Sequence, residues 1–197
     1  MKKDDLKVAA LKYFTQSGYE GASLSKIAEE VGIKKSSIYS HFSSKDALFL
    51  EVLREAKAAE IEMKQAYFSE TENSSPKTFL YSYLVAVKQM FEENQSLKFW
   101  LRMSFFPPSH LYETILDEVL EVEVLQENML EQSFRKWLDE DLITGPDARS
   151  LTIAYTGILM SIMVELVYDH TEKKAEEKLE ACWKIYWQAL DKREGIA

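Results

Sequence analysis

The chain has 197 residues, 46% hydrophobic and 29% charged, a balance that excludes wholesale disorder and allows a substantial core in one domain or two small ones. Six Gly and four Pro leave little punctuation, which points to long helices, and one cysteine, Cys182, excludes an internal disulfide and a cysteine-based zinc site. A net charge of −9 runs against nucleic-acid binding, but residues 1–50 hold eight Lys and six acidic residues, a net of +2, against −11 for residues 51–197. A mildly basic head on an acidic body can meet DNA at one end only. The opening Met1-Lys2-Lys3-Asp4-Asp5 has no apolar run behind it, so no secretion signal is expected and the chain reads as cytoplasmic.

In chain order, Leu6, Ala10, Tyr13 and Phe14 form a helical apolar stripe that Gly18 ends. Leu24, Ile27, Ala28 and Val31 repeat at three, four and seven behind Ser23, whose hydroxyl is expected to cap the helix, and Gly32 stops it. Ile38 and Phe42, four apart, face one side of a third short helix. Ser43-Ser44-Lys45-Asp46 opens a fourth that runs to about Tyr67, and the polar stretch Ser69–Pro76 reads as a linker.

Beyond it, Phe79, Tyr83, Val87 and Phe91 make a stripe, and an aromatic-rich segment from Leu97 to Phe106 is broken by Pro107-Pro108. A long helix follows through Leu111, Ile115, Leu125, Met129 and Trp137, then Gly145-Pro146, an apolar helix at Leu151–Tyr168 and a last one from about Lys173 to Leu190. The uncharged run Ser150–Val164 falls short of the roughly 20 apolar residues a membrane span needs, so a buried helix is expected and not an anchor. The fold class is all-α with about nine helices: a three-helix head, then a helical body.

Ser23 to Lys45 (SLSKIAEEVGIKKSSIYSHFSSK) carries the chemistry. Two short helices around a glycine turn give helix-turn-helix geometry, whose second helix enters the major groove. Ile27, Ala28, Val31, Ile33, Ile38 and Phe42 can form a small core. Lys34, Lys35, Ser36, Ser37, Ser40 and His41 leave an outer face that is short, polar and cationic, fit for phosphates and base edges.

Gly18-Tyr19, Ser23, Ile27-Ala28, Gly32-Ile33, Ile38-Tyr39, His41-Phe42, Lys45 and Leu48-Phe49 together resemble the TetR family of bacterial transcriptional regulators over about forty residues. The resemblance implies a DNA-binding domain at 1–46 and an effector-binding and dimerisation domain at 47–197. It implies phosphate contacts from Tyr39, Lys45 and Ser23, a base or phosphate contact from Ser25, and base reading by Lys35, Ser36 and Ser37. The chain departs from the family pattern at Lys34, where Ser or Thr usually caps the recognition helix, and at Ser36, where Gly is frequent. Lys34 then contributes a phosphate contact or leaves the helix start less well fixed. His41 either packs under the head or meets a phosphate.

In the body, the resemblance implies a cavity for a mostly apolar effector. Its candidate lining is Tyr83, Phe99, Trp100 and Met103, then Phe106, Tyr112 and Met129, because soft and aromatic side chains suit such a ligand. Operators with paired half-sites need a symmetric reader, so a homodimer is expected through Tyr155, Gly157 and Ser161 on the apolar helix and Trp183 and Trp187 on the last. No cofactor or metal is expected: His41, His110 and His170 are scattered, Asp169-His170 reads as a solvated helix end, and no phosphate loop or nucleophile elbow occurs. The leading function is thus a DNA-binding regulator, most simply a repressor, released from a palindromic operator by an effector. The alternative is a helical protein-interaction module that keeps the fold without specific DNA binding. Catalysis has no candidate residues.

Overall fold

A computed structural model describes residues 2–168 and 172–192; the pair Asp169-His170 lies outside them. Among the described residues the regular structure is nine α-helices and one 3-10 turn, with no strand. The helices are α1 Lys2–Gly21, α2 Leu24–Glu30, α3 Lys35–Ile38, α4 Lys45–Glu70, α5 Pro76–Glu93, α6 Gln95–Phe105, α7 Tyr112–Asp139, α8 Ala148–Val167 and α9 Glu172–Leu190. The 3-10 turn is Ser109–Leu111, between the double proline and α7.

Local chemistry sets the boundaries. Gly18 adopts φ 67, ψ −177, a combination that a side chain would resist, so α1 kinks there and one further turn ends at Gly21. Ser44 accepts the Ala47 amide at 3.0 Å and starts α4. Ser75 accepts from Thr78 at 3.2 Å while Pro76 occupies the first position of α5, where its missing amide costs nothing. Asn94 accepts the amides of Ser96 and Leu97 at 2.9 and 3.2 Å, which splits α5 from α6. Asp147 accepts from Ser150 at 2.8 Å and opens α8. One expected cap is absent: Ser23 sits at the N-cap of α2 in extended conformation, yet its side chain makes no capping bond.

The chain packs as two compact units. Unit 1 takes in residues up to Glu62 together with Glu93–Val119. It therefore holds α6 and the start of α7 with the first helices, a different division from one at residue 46. Phe14, Phe49 and Phe99 explain it. Their fully buried rings meet edge to face at 5.0 Å (Phe14–Phe49) and 5.7 Å (Phe49–Phe99), so α1, α4 and α6 share one aromatic core. At its edge Glu118 accepts from Lys57 at 2.6 Å and Arg54 at 3.4 Å.

Unit 2 takes in Met63–Glu92 and the residues from Leu120 on. Tyr83, Phe134 and Tyr155 are wholly buried there. The Tyr155 hydroxyl donates to the Leu80 carbonyl at 2.6 Å, and that of Tyr186 donates to the Leu151 carbonyl at 2.8 Å. By length and composition α8 could cross a membrane: it extends past the uncharged run at both ends, to twenty residues, with a mean hydropathy of 1.7 over an 18-residue window. It packs along α9, and its buried Glu165 pairs with Lys178 and Lys174 from that helix. Only the carboxylate is enclosed, and its charge is sustained by those two lysines.

Candidate nucleic-acid interface

The recognition element is built on four buried side chains. Ile27 and Ala28 of α2, Ile38 of α3 and Phe42 beyond it are each at most 4% exposed, and Val31 and Ile33 are half-buried. Gly32, at φ 71, makes the turn between α2 and α3, and the Ile33 amide donates to the Ala28 carbonyl at 2.9 Å across it. With one side of α3 pinned, the other faces outward: Lys34, Lys35, Ser36, Tyr39, Ser40 and His41 are exposed, and Ser37 is half-buried. Its exposure removes the reading of His41 as packed beneath the head. Ser40 turns its hydroxyl back to the Ser37 carbonyl at 2.7 Å. Lys34 occupies the N-cap of α3 in extended conformation with no side-chain cap, as an ammonium must. Ser25 is exposed, while Ser23 and Lys45 are half-buried.

Around Lys45 lies a constellation that the sequence reading missed. The Lys45 ammonium stands 4.3 Å from the centroid of the Tyr19 ring, a cation–π contact. The Tyr19 hydroxyl donates to Asp46 Oδ1, and His110 Nε2 lies 3.2 Å from that same oxygen. The His110 ring is 5.0 Å from the Tyr19 ring. The Tyr19 and His110 bonds together hold the Asp46 carboxyl below the usual carboxylate range. Burial, and then the bond to Asp46, push the Tyr19 hydroxyl well up. Tyr19 belonged to the motif and Asp46 adjoins Lys45, so both had a local signal. His110 stands 64 residues from Asp46, and nothing in the spacing joins them.

The candidate effector residues are divided. Phe99, Trp100, Met103, Phe106 and Tyr112 belong to unit 1, and Tyr83 and Met129 to unit 2. Phe99 is committed to the aromatic core, and Tyr83 is wholly buried with its hydroxyl near Lys64 and Gln126, so neither lines open space. Trp100 and Met103 are buried, whereas Phe106 and Tyr112 are each 48% exposed. Met129 alone of the seven lines a described pocket, a cleft of about 290 Å³ in unit 2 walled by Phe68, Phe79, Met129 and Trp137 with Glu72 and Lys136 at its rim.

Of the candidate dimer residues, Tyr155 is corrected: it is wholly enclosed in unit 2 and presents nothing to a partner. Gly157 is exposed, Ser161 and Trp187 are half-buried, and Trp183 is 7% exposed beneath Tyr81 and Trp187. The outward apolar positions are instead Ile153 (53% exposed) and Met160 on α8 and Ile185 (71%) on α9.

Residues 7–52 match the model of the bacterial regulatory proteins, tetR family. Within the curated relatives, the transcriptional repressor AcnR of Corynebacterium diphtheriae is 38% identical over 63 residues, which is 31% of this chain and 33% of AcnR. The chain thus matches about a third of that relative's length. Two solved structures are similar over nearly the whole length. A TetR transcription regulator from Haloarcula marismortui has a TM-score of 0.76 at 17% identity, covering 96% of this chain and 98% of that one. FadR from Bacillus subtilis, in complex with stearoyl-CoA, has a TM-score of 0.69 at 15% identity, covering 95% and 99%. At such identities the likeness establishes a shared fold. Residues 7–52 are thus similar to the tetR family of bacterial regulatory proteins, and the chain as a whole shares the fold of these solved regulators.

Proposed function

We propose that this chain is a cytoplasmic transcription regulator that binds a palindromic operator as a two-fold dimer and is released when a small, mostly apolar molecule enters its body. The observation that carries the reading is the two-sidedness of α3. Ile38 is locked into the core while Lys34, Lys35, Ser36 and Tyr39 face outward over a head with the family's motif. Cationic and hydroxyl groups on a short helix meet phosphates and base edges, and an acidic body keeps the remaining surface off the duplex. An interaction module without DNA binding would not require that cationic face.

Base reading falls to Lys35, Ser36 and Ser37, and phosphate contact to Ser23, Ser25, Lys34, Tyr39, Ser40, His41 and Lys45. For the dimer, Ile153, Gly157 and Met160 lie four and seven residues apart on α8, and Ile185 extends the apolar surface on α9. A second copy would cover them. For the effector, the Met129 cleft is the site, its apolar wall holding the ligand body and Lys136 meeting an anionic end. Stearoyl-CoA on FadR has both features, a long apolar chain and anionic phosphates. Release needs a ligand that favours a body conformation whose heads are wrongly spaced. α4 begins with Lys45 in unit 1 and ends in unit 2, so it is the element on which such a change acts.

A mobility-shift titration of the full chain on the DNA upstream of its own gene tests the reading. Sequence-dependent retention supports it, and equal weak retention of every duplex refutes it.

A further inference from the structure

We propose that His110 is a positioning residue for DNA binding: from the turn after the double proline it holds Tyr19 and Asp46, and through them the ammonium of Lys45. This rests on the reading of Lys45 as a phosphate contact. Tyr19 is the hub. Its ring carries the Lys45 ammonium at 4.3 Å, lies 5.0 Å from His110 and packs edge to face on Phe49 at 5.2 Å, while its hydroxyl is fixed by Asp46. His110 closes the loop by bonding Asp46 Oδ1 at 3.2 Å. Tyr19, Asp46 and His110 each meet the other two, Lys45 rests on the Tyr19 ring, and all of them lie in unit 1.

Two consequences follow. The first is mechanical. The 3-10 turn Ser109–Leu111, squeezed between Pro108 and α7, is tied by a side chain to the first turn of α4. A shift of that turn would therefore move the Tyr19 ring and loosen Lys45. The second is electrostatic. Asp46 places a negative charge beside the one lysine of α4's first turn, where it opposes an approaching phosphate. The Tyr19 and His110 bonds engage that carboxylate.

The test is a double-mutant cycle in the full chain, using His110→Ala, Lys45→Ala and the pair, with fluorescence anisotropy on the chain's own upstream duplex and on a scrambled duplex of equal length. Circular dichroism checks that each variant keeps its helix content, and Asp46→Asn provides a second break in the same network. His110→Ala should weaken binding to both duplexes by about threefold to tenfold, as expected when one charge-assisted contact is misplaced. It should add little in the Lys45→Ala background. His110→Gln, which keeps a hydrogen-bonding group, should regain part of the affinity. Wild-type binding with an unchanged His110→Ala variant, or full additivity with Lys45→Ala, overturns the positioning role alone. A wild-type chain that binds neither duplex overturns the DNA reading itself, and the positioning role with it.

Discussion

Ile38 and Tyr39 are neighbours in the chain and opposites in exposure: Ile38 is wholly buried against α2, and Tyr39 is 52% exposed. The one fixes the roll of α3 and the other is what that roll presents. Tyr39→Phe should leave thermal stability within about 0.5 kcal/mol, as surface substitutions do. It should weaken binding to every duplex by about 1.5–3 kcal/mol, the range for a hydrogen bond to a charged group. Calorimetric unfolding and anisotropy titrations on two unrelated duplexes check both halves.

Lys35 and Ser37 should behave differently. Each good base contact discriminates by about 1–3 kcal/mol. Lys35→Ala and Ser37→Ala are therefore expected to change which base is preferred at one position of the half-site, while binding to scrambled DNA falls less. Selection from a randomised duplex pool, sequenced for wild type and variants, reads this directly. Identical preferences in all three proteins would remove Lys35 and Ser37 from the reading face.

The head was legible because its information is local. Glycines at fixed offsets, an apolar pair four apart and a serine-capped fourth helix are short-range constraints, and the structure meets them at Gly18, Gly32, Ile38, Phe42 and Ser44. The helix order of the body was legible for the same reason, from stripes such as Phe79, Tyr83, Val87 and Phe91 and from the stop at Pro107-Pro108. The partners of each aromatic residue were not. Phe99 and Tyr155 sit in apolar runs that suit a cavity wall or a dimer face equally, and only packing shows Phe99 against Phe14 and Phe49 and Tyr155 bonded to Leu80. His110 is the same case at longer range: its partner Asp46 is fixed by how α6 and α7 meet the head.

The placement of Tyr155 separates stability from assembly. Tyr155→Phe removes the hydroxyl that donates to the Leu80 carbonyl, and should cost about 1–3 kcal/mol of stability without changing the association state. Gly157→Arg places a charged side chain on exposed α8 surface, where a built Cβ meets nothing within 4 Å. It should leave the protomer folded and break the dimer. Sedimentation velocity at micromolar concentration distinguishes the two, and a Gly157→Arg protein that still sediments as a dimer would place the interface elsewhere.

Acid should loosen unit 1 partly through Glu118. Its carboxylate is held by Lys57 first and Arg54 second, which lowers its pKa below the ordinary 4.5. A carboxylate with a lowered folded pKa contributes stability above the unfolded value that is lost as pH falls through the folded one. Glu118→Gln should cost about 1 kcal/mol at pH 7, and its stability should fall less than that of wild type between about pH 5 and 3. Urea midpoints across that range check the sign.

Filling the Met129 cleft tests the sensor half. Met129→Trp puts bulk into a space of about 290 Å³ between Phe68, Phe79 and Trp137. It should weaken release by an apolar acyl compound at least tenfold while ligand-free DNA affinity stays within about twofold. Equal release of wild type and variant would move the effector site out of that cleft.

The most direct measurement is the salt dependence of binding for wild type and Lys45→Ala on the chain's own upstream duplex. A head that meets phosphates with Tyr39, Lys45 and its neighbours gives a steep linear fall of log affinity with log salt, and Lys45→Ala should lower the slope by about one on specific and scrambled DNA alike. A wild-type slope near zero, or an identical slope in the variant, would contradict DNA binding through this face.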